Sequence, residues 1–185
     1  MIPLTTRSVP DAAVRFPREI AAAVTLPAAC AALVAADPAA LRPAAAIAVL
    51  TASAALATRL AIVEFLAAPG SPDPRAVRSF DPFSDPMPAG LQGVGPEPDR
   101  DRLRRAGERA TAAWQFWRTD DPAPDTTVGA AGALSIGAWC AWALGSSARA
   151  ETRARYALET RADDPLAGLV LRSVLARSAP TWERR

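Results

Sequence analysis

The residues best suited to chemistry are aspartates that stand next to another aspartate or to a proline. Together their carboxylates could hold a divalent cation, because hard cations prefer oxygen ligands. The aspartates concerned are Asp81, Asp85, Asp120, Asp121, Asp163 and Asp164. Most of them belong to Asp-Pro or Asp-Asp-Pro sequences, where an aspartate commonly accepts hydrogen bonds from the backbone of a turn. We therefore interpret them as turn and cap residues, and we predict no catalytic residue, no metal site and no cofactor.

The side chains on which most enzymes rely are missing from the sequence. It contains no histidine, no lysine and no asparagine. Without histidine there is no serine–histidine or cysteine–histidine pair and no imidazole ligand for a metal. Without lysine there is no Schiff base and no lysine for a phosphate-binding loop. The sequence therefore predicts a protein that is not an enzyme, and its arginine and alanine content is typical of high-GC codon usage.

The charge balance argues against nucleic acid as the partner. The 21 basic residues are all arginines and are offset by 19 acidic residues, for a net charge of +2. A nucleic-acid-binding domain typically concentrates a large positive excess on one face. The arginines at 100–109 could contact phosphate, but they are better explained as the solvated face of a helix. The expected partner is a protein.

The C-terminal third has the clearest helical pattern. An uncharged apolar run leads to Gly145, and the stretch after it repeats alanine and leucine at the spacing of a helix with one apolar face. Asp164 and Pro165 then provide a helix cap followed by proline at the first helical position. The pattern predicts a helical hairpin followed by a third helix, with Trp139 and Trp142 in the core.

This hairpin resembles a tetratricopeptide repeat. With Gly145 at the turn, Ala138, Ala150 and Ala157 fall on the three small packing positions of that repeat. The W-x-x-W sequence before the turn and the D-D-P sequence after it also resemble the C-terminal end of an uncharacterised actinobacterial domain-of-unknown-function family, over residues 130–182. The first resemblance implies a scaffold that binds proteins, and the second brings no established activity.

The N-terminal part predicts two helices. The first covers about 20–36 and is bent or restarted at Pro27, because proline interrupts helical hydrogen bonding. The second is a long helix over 43–67. The apolar residues that can share one face of the first helix are Ile20, Val24, Ala28, Ala31 and Ala35.

The middle of the chain, residues 69–98, is dense in proline and glycine and predicts no regular element longer than a turn. It is either a linker or a segment draped over the helices. Four apolar side chains favour draping, because a pure spacer has no use for them. They are Phe80, Phe83, Met87 and Leu91.

With a further helix over about 100–118, these segments predict an all-α protein of about five or six helices arranged in antiparallel hairpins. We divide the chain into an N-terminal helical pair at 1–68, the Pro/Gly-rich segment at 69–98 and a C-terminal helical subdomain at 99–185. The two halves are joined by the irregular segment.

The cysteines and the N-terminus indicate a cytoplasmic protein. Cys30 and Cys140 lie far apart and neither belongs to a C-x-x-C pair, which predicts buried thiols in a reducing compartment. The first residues contain no apolar run before their arginines and acids, so they do not resemble a secretory signal.

These features predict a non-catalytic helical interaction module whose partner is an unidentified protein. Arginine is enriched at interfaces, and Arg149, Arg153 and Arg172 lie on helices that could flank a groove. The alternative is a small membrane-associated protein, because residues 126–148 are uncharged and long enough to span about 30 Å of hydrocarbon. Their many small and hydroxylated side chains gain little from lipid, which favours the first interpretation.

Overall fold

The computed structural model describes residues 16–37, 41–119 and 126–183. This part of the chain is all-helical, with seven α-helices and no strand. The helices are α1 (Pro17–Val34), α2 (Pro43–Ala52), α3 (Leu56–Ala67), α4 (Arg100–Thr119), α5 (Thr127–Ala143), α6 (Ser147–Thr160) and α7 (Pro165–Leu175). The predicted all-α class is confirmed. The number exceeds the expected five or six because one predicted helix is broken in two.

Helix α5 is the centre of the fold. Every residue from Gly129 to Ala143 is buried, and the helix packs against α2, α3, α4, α6 and α7. A helix that is covered by other helices on most sides has no solvated face, and charged side chains there would be costly to bury. Burial inside the protein therefore explains the uncharged composition of this stretch without lipid.

The prediction of one helix over residues 43–67 is wrong. The helix ends at Ala52 and restarts at Leu56, and the two parts meet at 111°. The Thr58 hydroxyl donates to the Ala52 carbonyl oxygen and, at 2.9 Å, to that of Ala55, which satisfies carbonyls exposed by the break. On the facing side Gly132 approaches so closely that a methyl group there would overlap the Ser53 carbonyl. The break between α2 and α3 thus lies where α5 packs closely against the chain.

Helix α1 also differs from the prediction. It runs from Pro17 to Val34 with Pro27 inside it, so no restart occurs at that proline. The buried stripe is a different one from the face predicted above: it consists of Ala22, Leu26, Ala29, Cys30 and Leu33. Leucine is larger than alanine, so the stripe with two leucines buries more apolar area. The predicted face, which begins at Ile20 and Val24, is on the solvent side.

Residues 69–98 are draped over the helices. The Phe80 backbone N–H donates to the Ala57 carbonyl oxygen at 3.2 Å, and the Trp139 indole N–H donates to the Gly90 carbonyl oxygen at 3.2 Å. Two short 3-10 turns, Pro74–Ala76 and Ala89–Gln92, are the only regular elements among these residues. The backbone contacts therefore distinguish this segment from a free linker.

The four apolar side chains of this segment have different environments. Phe80 is buried and Leu91 packs partly buried against the core. Phe83 is 98% exposed and Met87 is 52% exposed. Only the first two serve as the anchors that the draped interpretation predicted.

Arginines of α4 fasten neighbouring segments instead of forming an entirely solvated face. Arg102 is buried, and its guanidinium donates to the carbonyl oxygens of Leu66 at 3.0 Å and Gly70 at 2.5 Å. It thereby caps the C-terminal end of α3, where carbonyls lack helical partners. Arg109 donates to the Ala32 carbonyl oxygen at 3.2 Å, beside the end of α1. Such bonds suit arginine, which has five N–H donors in a planar fork.

The residues after α7 return to the central helix. The Trp182 indole N–H donates to the Ala143 carbonyl oxygen at 2.9 Å, and the Trp142 indole N–H donates to the Ser178 carbonyl oxygen at 2.8 Å. Both indoles are buried, so each satisfies its N–H while its ring fills the core. These two hydrogen bonds hold the segment after α7 against the end of α5.

One main core connects the two halves proposed from the sequence. Its buried residues run from Leu26 to Trp182 and include both cysteines. A second, smaller cluster around Trp114 and Leu134 lies mostly in the C-terminal half, but the boundaries at 1–68, 69–98 and 99–185 do not divide the main core. Both thiols are free and buried, and burial raises the pKa of Cys30 and of Cys140 to about 12.

Candidate functional site

The most distinctive surface feature is a short loop at residues 78–87, which we call the Phe83 loop. Asp81 organises its tip: one carboxylate oxygen accepts from the Phe83 backbone N–H at 3.0 Å, and the other accepts from the Ser84 hydroxyl at 2.8 Å. Asp85 in turn accepts from the Asp81 backbone N–H at 2.8 Å. These bonds give the loop a defined conformation, which explains the two Asp-Pro sequences as turns.

An ion pair closes the base of the loop. The Arg78 guanidinium makes two bonds to the Asp85 carboxylate, at 2.8 and 2.6 Å. The hydrogen bond from Arg78 is the main cause that holds the pKa of Asp85 below its ordinary value, with the Asp81 backbone N–H adding to it. The pair lies at the surface and contributes little to global stability, but its forked geometry fixes the direction in which the loop projects.

Two phenylalanines in this segment have opposite roles. Phe80 is buried and its backbone is bonded to α3, so it anchors the loop. Phe83, three residues later, is 98% exposed. Burying a phenylalanine side chain is worth about 1.5–3 kcal/mol. The loop therefore displays an aromatic ring whose burial would yield free energy to a binding event.

A cavity of about 300 Å³ lies directly beside the Phe83 loop. Its apolar lining comes from Ala61 and Phe65 of α3, from Val77 and from the anchor Phe80. Glu64 and Asp73 add negative charge to its lining. Because Arg78 and Asp85 also line it, the cavity adjoins the base of the Phe83 loop.

The arginines predicted to bind a partner lie in different environments. Arg149 and Arg172 are exposed on α6 and α7. Arg153 is half-buried, and its guanidinium donates to the Gly137 carbonyl oxygen of α5 at 3.0 Å. Burial lowers the pKa of Arg153, and Arg149 is close enough to lower it further. Arg153 thus fastens α6 to α5, and its role in binding a partner, like those of Arg149 and Arg172, stays a prediction.

Within the described residues, the aspartates considered as metal ligands do not converge. No group of three histidine, cysteine or acidic residues able to hold a metal occurs in the described part of the chain. Asp81 and Asp85 serve the loop described above, and Asp163 pairs with Arg161 at 2.6 Å. Asp120 and Asp121 lie outside the described residues.

Asp164 combines a cap with a buried ion pair. As predicted, it is the N-cap of α7, and one carboxylate oxygen accepts from the Ala167 backbone N–H at 2.9 Å. The other oxygen accepts from the Arg59 guanidinium at 2.6 Å, and the two side chains are only 4% and 0% exposed. The pair links α3 to the start of α7 across 105 residues of sequence. Nothing in the spacing of residues along the sequence predicted this ion pair.

A second unusual surface is the solvent side of α1, which we call the α1 face. It is lined by Ile20, Val24, Ala28 and Ala31, all exposed. This 18-residue helix has a mean hydropathy of 1.3, is 28% buried, and meets the length and composition of a membrane span. Core helices and signal sequences near an N-terminus meet the same test. Helices α2 and α3 meet the length and composition of a membrane span only if they are counted together as one span broken by the 111° bend.

The chain matches no family model, no curated protein and no solved structure. The tetratricopeptide-like interpretation of the α5–α6 hairpin therefore stays a prediction. The functional argument depends on the geometry of the described residues themselves.

Sequence reasoning recognised Phe83 as a feature of the segment but gave it the wrong role. The available signal was the near-duplication of F-D-P and F-S-D-P at residues 80–82 and 83–86. Both copies carry an aspartate-proline turn, so each predicts a local bend. Contact with α3 buries Phe80 and leaves Phe83 exposed. Such a tertiary contact leaves no signal in the local sequence.

Proposed function

We propose that this protein is a non-catalytic interaction module whose contact surface is the Phe83 loop. The observation that carries the proposal is an almost fully exposed aromatic side chain on a loop with a fixed conformation. Interface hot spots are enriched in large side chains that fill a pocket in the partner. Pre-ordering by Asp81, Asp85 and Arg78 lowers the entropy lost on binding.

The charges around the loop indicate which kind of protein surface would fit. Acidic side chains near the ring and the cavity outnumber the basic ones: they are Glu64, Asp73, Asp81 and Asp85, against Arg75 and Arg78. A partner surface with an apolar pocket and no excess of negative charge is complementary to this arrangement. Complementary charge mainly raises the association rate and the specificity of a complex.

Replacing Phe83 by alanine is expected to abolish partner capture without unfolding the protein. Truncation of a hot-spot side chain weakens binding by about 2 kcal/mol or more, or about thirty-fold. The ring is exposed, so the melting temperature is expected to change little. The measurement is quantitative affinity capture from the native host with wild-type and variant protein, followed by direct titration of each captured protein that is lost.

Two matched variants control this experiment. Val94→Ala removes another exposed apolar side chain of the same segment and is expected to leave capture unchanged. Arg149→Glu tests the surface predicted from the sequence, which remains a second contact region under this proposal. If the Phe83→Ala protein still captures the partner and the Arg149→Glu protein does not, the contact surface lies on α6 instead.

The exposed α1 face supports a second candidate function, membrane association. Val24 is 75% exposed in the middle of this face, with Ile20 one turn before it. An amphipathic helix can bury such a face in the interface of a bilayer. This candidate differs from the span at 126–148 considered above, because α5 is covered by protein.

If α1 binds lipid, wild-type protein is expected to sediment with phosphatidylcholine and phosphatidylglycerol vesicles, and Val24→Glu is expected to abolish that association. A buried glutamate on the lipid side would carry a large desolvation cost. Val94→Glu places the same charge on another exposed site and provides the control. Protein that stays in the supernatant with both vesicle types would remove the candidate.

A further inference from the structure

We propose that a cavity at the N-terminal end of helix α3 binds the phosphate group of a phosphate ester. The cavity measures about 390 Å³ and lies where the first turns of α1, α3 and α7 come together. None of its lining residues belongs to the Phe83 loop. This inference therefore goes beyond the proposed function and does not depend on it.

The first turn of α3 offers backbone donors to an anion. Ala55, Leu56 and Ala57 line the cavity, and the N-cap residue Ala55 makes no side-chain cap hydrogen bond, because alanine has no acceptor. The first N–H groups of a helix have no partner within the helix and carry the positive end of its dipole. A phosphate group is stabilised at such a helix end.

A deeply buried arginine lines the same cavity. The Arg59 side chain is only 4% exposed. In the described part of the chain its Nη1 donates to the Asp164 carboxylate, and its Nε has no partner. Buried polar groups are normally hydrogen-bonded. Independently of the helix end, the unused donors of this guanidinium therefore indicate an acceptor that the protein itself does not provide.

Two more arginines and one carboxylate add charge to the lining. Arg18 is exposed, and Arg161 donates to Asp163 through Nε and Nη2, which leaves its Nη1 for another acceptor. Glu19 opposes an anion, and Asp163 and Asp164 neutralise two of the three arginines. The site therefore holds its ligand by directed hydrogen bonds more than by excess charge. A phosphate group suits it, because its three terminal oxygens accept several such bonds at once.

Apolar groups beside these donors indicate that the phosphate is esterified. Leu56, Val128 and Pro165 line the cavity, and Leu56 is 45% exposed, so the organic part of an ester has a surface to contact. Two sources supply this chemistry. One is a soluble phosphate ester, and the other is the headgroup of a phospholipid in a membrane that meets the α1 face, because Arg18 precedes Ile20 of that face by two residues.

Calorimetric titration of the full chain with glycerol phosphate tests the soluble source. The wild type is expected to bind it saturably and to bind uncharged glycerol not at all. Arg18→Gln and Arg161→Gln each remove charged donors and are expected to weaken binding about ten-fold. Arg149→Gln makes the same change outside the cavity and is expected to leave binding unchanged, whereas Glu19→Gln is expected to strengthen it.

Ala55→Asp tests the helix end directly. Ala55 has the extended backbone of an N-cap, and an aspartate there accepts from the N–H groups that would otherwise hold the phosphate. The variant is therefore expected to lose binding and to have a higher melting temperature than the wild type. Arg18→Gln changes an exposed side chain, so it decides the question if the buried position 55 does not accept aspartate.

Sedimentation with phosphatidylglycerol vesicles tests the lipid source. Vesicle binding that Arg18→Gln and Ala55→Asp weaken, and that Arg149→Gln does not, identifies a headgroup as the ligand. Glycerol phosphate binding with the same dependence, but without vesicle binding, identifies a soluble ester. No binding in either experiment, or binding that Arg18→Gln and Ala55→Asp leave unchanged, overturns the inference and leaves the role of the Phe83 loop untouched.

Discussion

Replacing Asp164 by alanine is expected to lower the free energy of unfolding by about 3–5 kcal/mol, the usual cost of breaking a buried ion pair from one side. The change leaves the Arg59 guanidinium almost fully buried without its carboxylate, and its Nε already lacks a hydrogen-bond partner among the described residues. It also removes the N-cap of α7, which contributes about 1 kcal/mol of that total.

Chemical denaturation of wild-type and variant protein measures this loss. Asp163→Ala is the matched control, because the Asp163 side chain is 74% exposed and pairs with Arg161. Exposed ion pairs contribute about 0–1 kcal/mol to stability. Asp164→Asn keeps a capping oxygen and should therefore lose about 1 kcal/mol less than Asp164→Ala. Equal stability of the Asp163→Ala and Asp164→Ala proteins would show that the buried pair contributes nothing net.

Replacing Trp139 by alanine is expected to cost about 3–5 kcal/mol, as is typical for a tryptophan in a well-packed core. This side chain is 0% exposed on the most buried helix. Its removal opens a void beside α3 and the draped segment, and it leaves the Gly90 carbonyl oxygen without the indole N–H that now donates to it at 3.2 Å. The draped segment should loosen together with the core.

Hydrogen exchange during unfolding distinguishes these two effects of Trp139→Ala. Trp139→Phe keeps most of the apolar volume and loses the donor, so it should destabilise less while still exposing residues 88–92 to exchange. Trp117→Ala is the control, because this indole is only partly buried and bonds to Thr126. A Trp139→Ala protein as stable as Trp117→Ala would contradict the central role of α5.

The helix ends that carry local signals were predictable from the sequence. Asp164 and Pro165 give the cap and first position of α7, and Gly145, with a φ of +74°, ends the turn after α5. Both depend on the chemistry of one or two residues, which sequence alone reveals. The break after Ala52 coincides instead with the close approach of Gly132, which lies far away in sequence, and the apolar pattern of residues 43–67 continues through the break without a local signal.

Surface and core roles were harder to assign for the same reason. Phe80 and Phe83 have similar local sequences, and only contact with α3 separates them. Arg153 has the helical spacing of a solvated residue, yet the missing side chain of Gly107 leaves room for its guanidinium, which donates to the Gly137 carbonyl oxygen. Alanine-rich helices make such errors common, because a face of small side chains looks alike whether it is covered or free.

The closing contacts of the terminal segment constrain the order in which the chain can fold on the ribosome. Ala143 and Trp142 are synthesised well before Trp182 and Ser178, with which they exchange hydrogen bonds. Until those later residues leave the exit tunnel, the end of α5 remains uncovered and its indole N–H lacks its native acceptor. Domains often begin to fold during synthesis. Here the core can be completed only after Ser178 and Trp182 have been synthesised. Nascent chains released at residue 177 should therefore bind chaperones more readily than those released at 183.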